Sequence, residues 1–180
     1  MTAAFITNIA FPKTLDEVFF YANEIGRFDV EEILTESSTE WTVPKDSCPG
    51  ELAFFMHSKT SIDTIRRLRK ELQSIQLEIE PARYEIIAKA LDSGESLYER
   101  IGGCIFAKGI VSGDVVIDKS ARNSKLHWSS IYYAPISNIE VFDNPVHISQ
   151  FRDFIFISRT GAITKLDDQQ ASKLLSLLES

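Results

Sequence analysis

Cysteine is scarce in these 180 residues: Cys48 and Cys104 are the whole complement. Two thiols are too few for a disulfide framework, and no Cys or His spacing suits a structural zinc, so both are expected as free, buried thiols. Long apolar runs are missing as well, and nothing approaches the roughly 18 residues of a membrane-spanning helix. The opening Met-Thr-Ala-Ala-Phe-Ile lacks the basic stretch that begins a secretory leader, so a cytoplasmic protein is expected. Catalytic signatures are also lacking. There is no glycine-rich phosphate loop, no nucleophile elbow and no HxE deaminase pattern. His57, His127 and His147 have no carboxylate or cysteine at metal-ligand spacing. The expectation is a protein without metal, cofactor or enzymatic activity.

What is present is the composition of a globular domain, 44% hydrophobic and 25% charged. The net charge of −7 argues at first against a nucleic-acid partner, but its distribution is uneven. Residues 1–40 carry eight acids against Lys13 and Arg27, a balance of −6, which leaves residues 41–180 at −1. The rest of the chain is therefore free to present a basic face.

Residues 1–38 read as a helical N-terminal extension. Thr14-Leu-Asp-Glu17 and Asp29-Val-Glu-Glu32 are capping-box patterns, and Gly26 is a helix stop between them. Trp41-Thr-Val before Pro44 is extended. Leu52 to His57, bounded by Pro49-Gly50 and by Ser58-Lys59, is a buried strand that delivers polar groups at its exit. Between residues 60 and 100 come two helices: one with Ile62, Ile65, Leu68, Leu72 and Ile75 on one face, another opened by Pro81 and closed at Ser93-Gly94. Strands are expected at Cys104–Val111, with Gly109 marking a bulge or close approach, then at Trp128–Phe142 and Phe154–Ile157. A turn is expected at Asn144-Pro145, a brief helix near Ile148, and a final helix capped by Asp167. Short strands interrupted by helices, without a βαβ rhythm, place the chain in the α+β class as a small mixed barrel or strongly curved sheet.

Four stretches, in this order, resemble the EVE domain of the PUA-like superfamily: Glu40-Trp-Thr-Val-Pro-Lys45, Gly50-Glu-Leu-Ala-Phe-Phe-Met-His-Ser58, Asn123-Ser-Lys-Leu-His-Trp-Ser-Ser130 with the Ile-Tyr-Tyr that follows, and Ile157-Ser-Arg-Thr-Gly-Ala-Ile-Thr164. The resemblance implies a PUA-like domain over residues 39–180 with a helical insertion at about 60–100. It implies nucleic-acid work, in DNA or RNA, on a modified or flipped base. The pocket residues it implies are Trp41, Thr42, His57, Ser58, Lys59, Trp128, Ser158, Arg159 and Thr160, with stacking and base-edge hydrogen bonds as their chemistry. Arg66, Arg67, Arg69 and Lys70 on the inserted helix are candidate phosphate contacts, and the plainer alternative for them is a solvated helix face. Trp41 and Trp128 could equally be core. The rival function is a protein-interaction subunit that docks a partner through residues 1–38 and the inserted helices. A nucleotide-acting enzyme with His57 as acid or base is the third reading.

Overall fold

The computed structural model describes residues 3–118, 130–157 and 162–179. In chain order the elements are β1 (Ala4–Ile9), α1 (Leu15–Phe20) running into a π turn (Tyr21–Ile25), α2 (Asp29–Thr35), β2 (Thr39–Thr42), β3 (Leu52–His57), α3 (Ser61–Ser74), α4 (Pro81–Ile101), β4 (Cys104–Val111), β5 (Val116–Ile117), β6 (Tyr132–His147), a 3-10 turn (Ile148–Gln150), β7 (Ile163–Leu166) and α5 (Asp168–Glu179). The strands form one mixed sheet in the order β2-β6-β4-β3-β1-β7, with β5 also on β6. β1 and β3 are parallel and the other strand pairs are antiparallel. Register shifts between Phe55 and Met56 on β3, and two more along β4 and β6, bend the ladder. The result is the α+β class, as an open, curved sheet with helices at its periphery.

β3 reads as a continuous apolar run because both its faces are covered. Ala53 and Phe55 join Phe5, Ile9, Trp41, Phe106 and Ile136 on one face, closed by Val30 and Ile33 of α2. Phe54 and Met56 join Ile6, Ile105, Phe151 and Leu174 on the other. A third cluster packs α1, α3 and α4 through Val18, Ile65, Leu68, Leu72, Ile87 and Leu91.

Local signals act where they were expected in several places. Thr14 Oγ1 accepts from Glu17 N at 3.1 Å and starts α1. Gly26, at φ 90, ends the π turn by donating to Tyr21 O at 2.7 Å. Asp167 and Gln170 form a reciprocal capping box at 2.8 and 2.9 Å ahead of α5. At Gly109 a Cβ would stand 2.5 Å from Ile136 Cγ2, the close approach that keeps this position glycine.

Elsewhere the structure corrects the sequence reading. Residues 1–38 are not a helical extension: β1 lies between β3 and β7, inside the sheet. α4 does not stop at Ser93-Gly94 but runs to Ile101, and Gly94 is there for contact, since a Cβ would fall 2.3 Å from Phe11 Cε1. Asp29 is the first residue of α2 and not its cap; Glu31 Oε1 instead accepts from Phe28 N at 3.0 Å. β6 continues through Asn144-Pro145 to His147, where a turn was expected. Residues 154–157 are turn and coil, and the closing strand is Ile163–Leu166. Cys48 and Cys104 are free, but Cys48 is exposed and Cys104 half-buried.

Candidate nucleic-acid interface

β3 ends in a dense set of hydrogen bonds. His57 Nδ1 lies 3.2 Å from Ile9 O, which also accepts from Ser58 N at 2.9 Å. Because a carbonyl only accepts, Nδ1 carries the imidazole proton. Gly103 N donates to His57 O at 2.8 Å, and the Tyr98 hydroxyl donates to Lys59 O at 2.9 Å while its ring meets His57 edge-on at 5.8 Å. Ser58 and Thr60 share a hydroxyl contact of 2.9 Å, and Ser61 Oγ accepts from Phe11 N at 3.1 Å. The exit is thus tied to β1, to the end of α4 and to the start of α3. His57 and Ser58 are buried by these contacts, whereas Lys59 is exposed.

Burial pushes the His57 pKa down, against a smaller raising effect from the Ile9 carbonyl, so the ring is held neutral. His57 also lines a small cavity together with Phe11, Tyr21, Phe28, Asp29 and Leu97. Burial raises Asp29 to about 6, opposed by the Tyr21 hydroxyl that donates to its Oδ2 at 2.7 Å. The cavity measures about 10 Å³, room for one water and far too small for a nucleobase.

Trp41 was expected as a pocket wall and is placed in the core. It is 4% exposed, its indole N–H donates to Thr7 Oγ1 at 3.0 Å, and its ring meets Phe55 edge-on at 5.9 Å. Burying a large apolar side chain is worth about 1.5–3 kcal/mol. A base stacked on an aromatic ring returns about 1–3 kcal/mol, so withdrawing the indole to meet a base gains nothing. Thr42 is buried opposite Tyr133 on β6. Trp128, Ser158, Arg159 and Thr160 lie outside the described residues.

The basic helix divides. Arg69 is held by Asp92 and Glu95 at 2.8 and 2.6 Å and ties α3 to α4, so it is not available to phosphates. Arg67 pairs with Glu71 at 2.9 Å and donates to Lys13 O at 2.8 Å. Arg66 and Lys70, four residues apart on α3, are exposed.

Asp29, Tyr21 and Tyr98 belong to this site and were not singled out by sequence. Asp29 is the clearest miss, because its capping-box context concealed a half-buried carboxyl at the mouth of a cavity. His147 was weighed only as a metal ligand; it lies beside Gly103, where a Cβ would stand 3.0 Å from His147 Nε2. No group of three His, Cys, Asp or Glu side chains able to hold a metal occurs among the described residues, and no helix among them is long and apolar enough to cross a membrane.

The sequence matches no protein-family model and no curated protein. Among solved structures, the fold is similar to a structural-genomics protein from Agrobacterium tumefaciens, at 10% identity and a TM-score of 0.48 over 98% of this chain and 92% of that one. It is also similar to an ASCH protein from Zymomonas mobilis, at 8% identity and a TM-score of 0.40 over 97% of this chain and 94% of that one. A tyrosine-to-phenylalanine variant of that protein gives 7% identity and a TM-score of 0.42, covering 97% of both chains. Likenesses this remote leave the reading of the site to its own geometry.

Proposed function

We propose that this protein is a PUA-like nucleic-acid-binding module, without a catalytic step of its own, that receives a modified or flipped base beside the β3 exit. The observation behind this reading is a convergence at one end of the sheet. His57, Ser58 and Lys59 leave β3 next to Ile9 at the end of β1, and the chain re-enters at Ala162, whose carbonyl accepts from Asn8 N at 2.7 Å. Trp41 reaches Thr7 on the same strand. Two of the segments that the sequence resemblance assigns to a base pocket, the β3 exit and the stretch that re-enters at Ala162, therefore meet at one end of the sheet. Trp41 serves as its packed floor, and Ser158, Arg159 and Thr160 are assigned the base contacts, whereas the strand that follows Trp128 begins at the other end of the sheet.

Since His57 and Ser58 are buried, a base can touch them only after the surrounding segments shift, and affinity is then reduced by the fraction of molecules in the open form. A protein-interaction role through residues 1–38 is weakened, because that segment contributes an interior strand of the sheet and two packed helices. Ile25 is the one large hydrophobic residue exposed among described residues 3–38. An enzymatic role for His57 calls for a carboxylate partner, and the Asp29 carboxyl is engaged by Tyr21.

The test is fluorescence anisotropy against a panel of duplex and single-stranded DNA and RNA oligonucleotides, with and without base modifications. One modification is expected to bind at least tenfold tighter than its unmodified counterpart, about 1.4 kcal/mol. Equal affinity across the panel overturns the modified-base reading, and no binding to any member overturns the nucleic-acid reading.

A further inference from the structure

We infer that Lys59, His147 and Arg66 form a phosphate-binding patch around the Gly103 turn, which holds a backbone phosphodiester of the nucleic-acid strand next to the base site. The inference rests on the nucleic-acid reading and adds to it a place and a set of donors.

Gly103, at φ 69, makes the left-handed turn from α4 into β4. A Cβ there would stand 3.0 Å from His147 Nε2 and 3.3 Å from Lys59 Cβ, so the imidazole and the lysine stem meet over this glycine. The backbone of Lys59 is fixed by the Tyr98 hydroxyl. α3 begins at Ser61, two residues beyond Lys59, so Asp63 and Arg66 stand in its first two turns, close enough for their charges to act on the Tyr98 hydroxyl.

The orientation of His147 is set from behind. Ser149 N donates to its Nδ1 at 3.1 Å, so a neutral ring carries its proton on Nε2, the atom beside Gly103 and Lys59. No acceptor for that N–H occurs among the described residues.

Charge pairing removes seven of the fifteen described lysines and arginines from consideration and leaves Lys59 and Arg66 among the eight with no ion pair to a described residue. Arg27, Arg67, Arg69, Arg83, Lys89, Lys108 and Lys165 are all neutralised by carboxylates of the chain itself. Lys59 and Arg66 have no such ion pair among the described residues. Asp63 is the acidic residue in the first turn of α3, and one carboxylate against Lys59 and Arg66 leaves the patch a net cation. An ammonium, a guanidinium fork and an imidazole N–H donor together suit the two non-bridging oxygens of a singly charged phosphodiester. Lys59 follows His57-Ser58 directly in the chain, which sets the phosphate about one nucleotide from the base site. Contacts of this kind position a strand and do not select its sequence.

The experiment titrates salt against binding of 5′-labelled 12-mers of deoxythymidine and of uridine at pH 8. The double variant Lys59→Gln/Arg66→Gln is expected to lower the slope of log K against log salt by about 1.4, roughly 0.7 for each lost phosphate contact on a single strand. His147→Gln is expected to weaken binding severalfold with the slope unchanged. Lys45→Gln, exposed and outside the patch, is expected to change neither. If wild type binds and the double variant keeps its slope, or if Lys45→Gln lowers it equally, the patch is overturned while the nucleic-acid reading stands. If wild type binds neither oligonucleotide, the patch is overturned, and the nucleic-acid reading is decided by the full panel of modified and unmodified strands.

Discussion

Asp29 and His57 line one water-sized cavity and titrate in opposing senses. Burial raises the Asp29 carboxyl from 3.8 to about 6, so the folded chain holds that proton more tightly than the unfolded one. The resulting stabilisation is fully present below pH 3.8 and is lost as pH rises through about 6. At about 1.4 kcal/mol per pKa unit the effect is at most about 3 kcal/mol. His57, held neutral, instead loses stability as pH falls through the ordinary imidazole value. Asp29→Asn should therefore gain stability relative to wild type between pH 4.5 and 7.5, read from urea midpoints; a difference independent of pH would refute the assignment. Gly94 offers a test in which two effects compete. Helix propensity alone makes Gly94→Ala stabilising by about 1 kcal/mol, whereas the 2.3 Å approach to Phe11, itself packed on Phe28 at 4.9 Å, makes it overpacked. Overpacking costs about 1–3 kcal/mol, so the melting temperature should fall by several degrees and recover in Phe11→Leu/Gly94→Ala. A higher melting temperature in the single variant would show that Phe11 has room to move.

Among the elements, β1 is the one the sequence conceals. Phe5, Ile6 and Ile9 make a short apolar run with no turn signal of their own, beside a strong capping box at Thr14 that draws the reading toward helix. What makes those residues a strand is pairing with β3 and β7, about 48 and 160 positions away, and strand formation depends on such partners more than on local preference. Deleting residues 1–9 should consequently abolish cooperative thermal unfolding, followed by circular dichroism; a clean melt near the wild-type temperature would restore the view of a dispensable extension. The helix signals were legible because they are local: Thr14, Gly26, Pro81 and Asp167 act within a turn of themselves. Pro145 misled for the converse reason, since the end of β6 pairs with β4 at Ile105 and Cys104 through Val146 and His147, and the proline interrupts no bond needed there. At the candidate site, the His57-Ser58-Lys59 exit was legible as a buried strand with polar groups at its end. The Tyr21–Asp29 bond and the meeting of Lys59 with His147 arise from tertiary packing and leave no spacing in the sequence.

At the scale of the whole molecule, the mixed α+β class followed from short strands and inserted helices, but the strand order did not. Sheet order depends on which ends come together, and here the sixth strand lies between the second and the fourth. The interior position of β1 also makes the molecule unequal in the face of tension. Ala4 pairs with Leu166 and, on its other side, with Leu52. A pull on the C-terminal side first peels α5 and then β7, an edge strand of four residues, and leaves the joined β1–β3 ladder standing. A pull on the N-terminal side engages β1 at once and must break its bonds to two neighbours together, which splits the sheet. An unfolding motor would thus strip this protein stepwise from one direction and meet its main resistance immediately from the other.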